Sequence, residues 1–553
     1  MNSFFKYYFI MNSKIILITT LICLFNFVGF AQKDTSKRQT IDITSSYKPV
    51  LRNAVKINFS ATNLTADTSR GYLTYSIPAQ NLFYTYQPIA LKPLALTQDT
   101  ALDLGIRNFL KIGFGNYSTP FLKAGFSFGD GKKSLVNVYA DYISSKGKIK
   151  YQDYSQLNIK ASGSYFTERN EIYGTVGLSQ NDNYLYAYNH NLFTPNKADV
   201  LQRFSNINIK AGFKNKDANE TGINYNPNVA INVFSSQNKL TENSIVAEVP
   251  VEKTINDVFS IKLAARADIT TYTTSAISPN NFKFNNNIFS LSPEIVYATP
   301  LLTIHGGVTP TWDNNKLAVL PNFYGEFQLE GKPFLVQAGL VGSFIKNTYQ
   351  YLAAINPYLL PVTQQINTQQ TELYGGIKGS VGSHFNYSAK AGFIGYKNLP
   401  FFINDTITTA FKIINEPKVT DVRIHGDMSF ISQDKFTITG GLTFNGYTGL
   451  NNNRSAWGTI PIDINAAMKW WAFKQVMLKA DFRSFTGNTY LMKGNAEKTL
   501  SGAADLSAGV EVEITKKISA WFDANNLFNN KYQRWYGYEV YGLNVLAGVI
   551  VKF

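Results

Sequence analysis

The four histidines, His190, His305, His384 and His425, are the natural first candidates for chemistry in this chain. Neutral imidazole ligates metals and shuttles protons, but a metal cage needs several His, Cys, Asp or Glu side chains converging at short spacings. These four are scattered over separate segments with no carboxylate spacing to join them, so neither a metal site nor a cofactor is expected. His425 has the one local cluster, Arg423-x-His425-x-Asp427, whose alternate spacing puts three polar groups on one face of a strand. A hydrogen-bonded polar network is the plain role for that triplet. Covalent catalysis would need a nucleophile beside a base, and nothing in the residue order marks such a pair, so the expected class is non-enzymatic. The single cysteine, Cys23, lies in an N-terminal segment read below as removable, which leaves no thiolate chemistry and no disulfides. The run Gln533-Arg-Trp-Tyr-Gly-Tyr538 offers a different chemistry. Trp535, Tyr536 and Tyr538 are candidate surface-loop ligand contacts, because flat rings with polar edges stack on the apolar faces of sugars.

The elements that must position these residues are strands. Aromatic residues make up 14% of the chain, with 33 Tyr and 40 Phe, against 16% charged, and no long amphipathic helical pattern follows the N-terminus. In Phe259 to Thr270 every second residue (Phe259, Ile261, Leu263, Ala265, Ala267, Ile269) is apolar, while Lys262, Arg266 and Asp268 lie on the other face. Lys133 to Ser145 and Gln475 to Ser484 repeat the scheme. Charges in mid-strand are foreign to a packed protein core, and apolar faces of about 9–11 residues' length suit a tilted strand crossing a bilayer. The expected arrangement is therefore inside-out, with a wet lumen and a dry exterior.

Connections alternate between short and long. Tight turns are expected at 129–132, 168–170, 297–300, 330–333, 380–384, 432–435 and 515–517. Longer loops are expected around 189–200, 273–285, 350–370, 398–417, 487–501 and 526–539. Short turns on one rim and long loops on the other mark a transmembrane barrel. About 22 strands can be counted from Phe109 to the C-terminus, the weakest being the short Asn243–Val251, which parity requires. An even number brings both ends of the chain to the short-turn rim. The fold class is all-β, an antiparallel transmembrane barrel over 106–553. Lys160, Lys210, Lys262, Arg266, Lys378, Lys390, Arg423, Lys479, Arg483 and Lys552 are assigned to the lumen, balanced by Asp141, Asp268, Asp427, Asp481, Glu511 and Glu513. The aromatic pairs and triplets at strand ends, Tyr184/Tyr186/Tyr188, Phe401/Phe402, Trp470/Trp471 and Trp535/Tyr536/Tyr538, are assigned to the bilayer's interfacial girdles.

The N-terminus carries an export signal. Lys6 and Lys14 precede the apolar run Ile15 to Phe30, and Gly29 and Ala31 are small residues where a signal peptidase reads. Residues 1–31 are assigned to it. The formal charge of +15 falls to +13 without Lys6 and Lys14. No basic stripe concentrates that charge, so nucleic acid is not an expected partner, whereas anionic lipid at the rims is. Residues 32–105 are extended and punctuated by Pro49, Pro78, Pro88 and Pro93, with little capacity for a core of their own. They read as a periplasmic or lumenal strap.

The segment Asp523 to Tyr532, with Asn526, Leu527, Phe528, Asn529 and Tyr532, followed by the terminal Phe553, resembles the end of a TonB-dependent receptor barrel. The resemblance covers roughly the last four-fifths of the chain and implies an outer-membrane location in a Gram-negative bacterium, solute transport and energisation by TonB. Residues 32–105 are about half of what that family's plug domain occupies, so the chain is more similar to its short, plug-less Bacteroidota members. Thr40, Ile41, Asp42, Ile43 and Thr44 resemble a TonB box, which works by adding a strand to an exposed sheet edge. Gly548, Val551 and Phe553 resemble the C-terminal signal read by the barrel-assembly machinery, with Leu546 where that signal has a polar residue. Two functions follow as alternatives: a transport or receptor barrel for an unknown solute, or a non-transporting assembly barrel that anchors a periplasmic or surface partner.

Overall fold

Alternation along the chain becomes alternation across a cylinder wall. In the computed structural model the described residues are 108–553, apart from 238, 276–281, 330–333, 407–409, 433–434 and 493–495. The expected signal, the strap and the Thr40–Thr44 segment lie outside them. Every consecutive pair of wall strands is antiparallel, and the last strand, Asn544–Lys552, pairs with the first, Phe109–Gly115, to close the wall. Ile223–Tyr225 and Asn228–Ser236 are two pieces of one strand, both paired with Leu240–Thr254 and broken at Asn226-Pro227, which gives a 22-stranded barrel. The weak, short strand expected at Asn243–Val251 is present and longer, Leu240–Thr254, 15 residues. Its outer face is apolar only from Ile245 onward, because its first residues rise above the lipid, and hydrophobic alternation fades there.

The outer face is a continuous apolar belt. Register places Ile209 opposite Ile231, Ile231 opposite Ile245 and Ile245 opposite Ile269, and all four are exposed. Phe114, 62% exposed, with Phe128, Phe213, Phe323, Phe393, Trp470 and Phe473, adds aromatic rings to that face. An exposed apolar surface of this extent is stable only in lipid. The protein is an outer-membrane barrel.

The two ends of the barrel wall meet at the short-turn rim, where the Phe553 amide donates to the Asn108 carbonyl at 2.9 Å. Local side-chain chemistry sets these turns. Asp130 Oδ1 accepts the backbone N–H groups of Lys132, Lys133 and Ser134 at 3.0, 2.7 and 3.0 Å. The hydroxyls of Thr167, Thr299 and Thr515 each accept the amide three residues on, at 2.9–3.0 Å. The opposite rim carries the long connections 185–200, 346–367, 449–461, 486–502 and 526–543.

One expected loop is strand instead. Phe385–Asn404 and Phe411–Ser432 continue their pairing past the membrane through Leu399↔Glu416 to Asn404↔Phe411. Asn398, at φ 60°, and Pro417, which has no amide to donate, interrupt that ladder without shifting its register, and this break is what reads as a loop in the sequence. A second correction concerns the girdle assignment. Tyr186, Phe401, Phe402, Trp535 and Tyr538 are buried, and most of them meet in one core at the long-loop rim rather than facing lipid. The lipid-facing row of the last strand likewise begins at Leu543, because Tyr541 turns inward and is buried.

Candidate functional site

The inward face is polar as the alternation requires, and its charges are paired within a strand or with strands one or two places away. Arg266 reaches Glu248 at 2.6 Å, Lys378 reaches Glu326 at 2.6 Å, Lys390 reaches Glu372 at 2.7 Å, Arg423 reaches Asp421 at 2.7 Å and Arg483 reaches Asp463 at 2.6 Å. Lys552 lies 3.0 Å from Glu513. His425 bridges Asp427 and the Thr443 hydroxyl, each at 2.8 Å, so the triplet singled out in the sequence is a wall network. His305 stacks on Tyr324 and lies 2.6 Å from Glu294, a contact between adjacent strands that no sequence spacing announces.

The loop 346–367 folds inward over the mouth. Its helix α1, Tyr349–Ile355, starts at Thr348, whose hydroxyl accepts the Tyr351 N–H at 3.1 Å. The first-turn amides of Tyr349 and Gln350 donate to Glu242, a wall carboxylate, at 2.7 and 3.1 Å, and Gln365 Nε2 adds a third donor at 2.6 Å. A negative charge at a helix N-terminus satisfies otherwise orphaned N–H groups and complements the helix dipole. Ahead of the helix, Lys346 is bonded to the Asp268 carboxylate and donates to the Thr270 hydroxyl at 2.7 Å. Behind it, Asn367 Nδ2 donates to Asn286 and Asp313 at 2.6 and 2.7 Å. Three polar anchors thus hold one short helix to the wall.

Aromatic packing seals the roof. Tyr358 stacks on Tyr538 at 3.5 Å, Tyr186 meets Tyr538 edge-on at 5.1 Å, and Trp535 packs against Phe411 and Phe402 at 5.1 and 5.3 Å. Burial pushes the hydroxyls of Tyr349 and Tyr358 well above the usual tyrosine range, so both stay neutral; Tyr349 donates to the Leu359 carbonyl at 2.9 Å.

Beneath the roof lies a cavity of about 230 Å³. Gln156, Ser179, Asn181, Asn183 and Asn206 line it from the wall, and Gln350, Ala353 and Pro357 from the loop. Gln156 Oε1 and Asn206 Oδ1 are buried with no hydrogen-bond partner among the described residues.

Of the candidate ligand contacts, Trp535 and Tyr538 are 1% and 0% exposed and pack inside the roof, while Tyr536 stacks on Tyr490 at 4.2 Å. Gly548, Val551 and Phe553 lie on the closing seam. Gly548 stands opposite Gly113, and a Cβ at Gly113 would collide with the Trp521 ring, whose Nε1 donates to the Ile112 carbonyl at 3.2 Å. Leu546 points inward with Ile550 to fill the cluster around Trp521, which explains an apolar residue there. In the Asn526–Tyr532 motif, Asn526 and Asn529 sit at φ 51° and 53°, where Asn is tolerated, and their amides tie the loop to Tyr541 and Leu543. The cavity and the Glu242 anchor were not singled out by sequence reasoning; scattered Asn and Gln carry no spacing signal until the register aligns them.

The closed antiparallel barrel of 22 strands has the fold of the TonB-dependent outer-membrane receptors. The chain is similar to the FrpB iron transporter from Neisseria meningitidis, with a TM-score of 0.62 and 11% identity over 81% of each chain. It is also similar to the ferric enterobactin receptor PfeA of Pseudomonas aeruginosa in complex with enterobactin, with a TM-score of 0.59 and 12% identity over 81% of each chain. A third similar structure is FpvAI in its complex with pyocin S2, with a TM-score of 0.61 and 8% identity, covering 81% of this chain and 70% of that one. No protein-family model and no curated protein matches the chain.

Proposed function

We propose that this protein is a transport or receptor barrel that binds a solute at its outer mouth and passes it through the lumen. The observation that carries this reading is the roofed cavity. A barrel serving only as an anchor has no need for a loop helix folded into its own mouth and fastened to the wall by Glu242, Lys346 and Asn367. Barrels of this size are wide enough to conduct unless something fills them. In this reading residues 1–31 direct export, and residues 32–105 act as a strap that the Thr40–Thr44 segment links to TonB. Gly548, Val551 and Phe553 serve insertion by the barrel-assembly machinery.

The test has two arms. The full-length protein inserted in planar bilayers is expected to conduct, more strongly when Glu242→Ala loosens the roof. Site-specific crosslinkers at Ile41 and Ile43 are expected to capture the periplasmic domain of TonB. Absence of conductance in both proteins, together with a stoichiometric partner that is lost when 32–105 is deleted, would overturn transport and favour the anchoring alternative.

A further inference from the structure

On four adjacent wall strands, Asp153–Phe166, Asn170–Tyr184, Leu201–Asn215 and Asn228–Ser236, the inward stretch below the roof carries amides, while the ion pair Glu171–Lys214 lies toward the short-turn rim. Register puts Gln156 opposite Ile143 and Asn181, Ser179 opposite Asn158 and Asn206, and Asn208 opposite Asn232. Asn232 Nδ2 in turn donates to Gln350 of helix α1 at 2.5 Å, joining this sector to the roof. We propose that the cavity between this amide-lined sector and helix α1 binds a neutral, hydroxyl-rich solute, a saccharide unit, rather than an anionic or metal-chelating one. This assignment rests on the solute-handling reading above and names its substrate class.

Charge is the first argument. Among the lining residues the one ionisable acid is Asp153, and Lys197 pairs with it at 2.5 Å; no Lys or Arg lines the cavity. Lys160 and Lys210 share the inward face nearer the other rim and are not among the lining residues. An anion entering here would shed water without meeting a cation. Hydrogen-bond polarity is the second argument. Gln156 and Asn206 line the cavity, and their Oε1 and Oδ1 are closed off without a donor among the described residues, so a turn of either amide offers an acceptor that a carboxylate has no proton to satisfy. A hydroxyl brings a donor and accepts as well, matching amide side chains that offer both. Shape is the third. The rings of Tyr154, Phe204 and Tyr358 border the same space, as the C–H faces of a sugar ring require, and 230 Å³ is the liquid volume of ~8 waters, room for about one sugar unit.

The probes are glucose, N-acetylglucosamine, maltose and lactose, with citrate and ferric citrate as the charged comparison. Calorimetric titration and saturation-transfer NMR on the full-length detergent-solubilised barrel are expected to show saturable binding of at least one sugar and none of the charged probes. Asn206→Leu and Gln156→Leu are each expected to weaken that binding ~10-fold or more, as loss of a hydrogen bond in a site built for it does. Thr309→Val, inward-facing on the distant strand Leu302–Asp313, is expected to leave it unchanged. Heat-shifted mobility on gels confirms folding, and the near-isosteric Asn206→Asp serves if the leucine variant does not fold. Failure of all four sugars to bind, indifference to both substitutions, or citrate binding at the same residues overturns the proposal. Liposome swelling separates it from the transport reading. Sugar binding without solute passage topples transport alone, and passage without sugar binding topples this inference alone.

Discussion

Two sectors of the same wall solve the problem of a polar lumen differently. Between Leu240 and Lys552 the inward charges meet partners on their own strand or one or two strands away, and pairs such as Lys390–Glu372 and Arg423–Asp421 are nearly sealed from water. Between Asp153 and Ser236 the inward ion pair Glu171–Lys214 sits toward the short-turn rim, Asp182–Arg203 lies on the outer face in line with Leu178 and Ile207, and the inward stretch facing the roof carries amides. Ion pairs complete each other and leave little for a visitor. Amides in a wall are saturated only in part, because neighbouring side chains rarely align every lone pair. Buried acceptors are left over in both sectors, Asp421 Oδ1 and Asp505 Oδ1 in the first and Gln156 Oε1 and Asn206 Oδ1 in the second, but only the second pair belongs to neutral amides that line a cavity.

Substitutions can break this contrast from its strongest side downward. Glu372→Ala leaves the Lys390 ammonium, already against the Tyr374 ring at 3.6 Å, without its carboxylate partner. A loss of about 3–5 kcal/mol is expected, the cost of stripping one partner from a buried pair, read as a lower temperature for the gel-mobility shift. Glu242→Ala acts at the boundary between wall and roof. It removes the acceptor for two first-turn amides and is expected to cost about 1–3 kcal/mol locally, with faster hydrogen exchange at Tyr349 and Gln350 and unchanged exchange in the lower wall. Asn206→Leu is the smallest perturbation to the fold. Removing an unpartnered buried acceptor is expected to change stability by ~1 kcal/mol or less in either direction, and a loss as large as that of Glu372→Ala would erase the contrast.

Much of the wall was legible from alternation. The lumen assignments of Lys262, Arg266, Lys378, Lys390, Arg423, Arg483 and Lys552 agree with the register, as do those of Asp268 and Asp427, because a period of two leaves each residue only two faces. The even strand count and the closing of the last strand on the first follow from the same pattern. Legibility stopped at the lipid boundary. Trp470 and Phe473 reach the lipid face as a girdle would, whereas Phe402, Trp535 and Tyr538 use the same residue types to build a protein core. A ring at a strand end reads identically in both settings. The hairpin at 385–432 was hidden for a related reason: above the membrane neither face must be apolar, so the pairing continues without its hydrophobic signature.

Sequence alone determined the class of wall, its inside and outside, its two unlike rims and the membrane it belongs in, since lipid imposes one requirement on every second residue of every strand. Only the tertiary structure decided that loop 346–367 turns inward, that Glu242 holds its helix, and that Gln156 and Asn206 face a shared space with acceptors unspent. Those contacts join residues far apart in the chain, and no local periodicity constrains them.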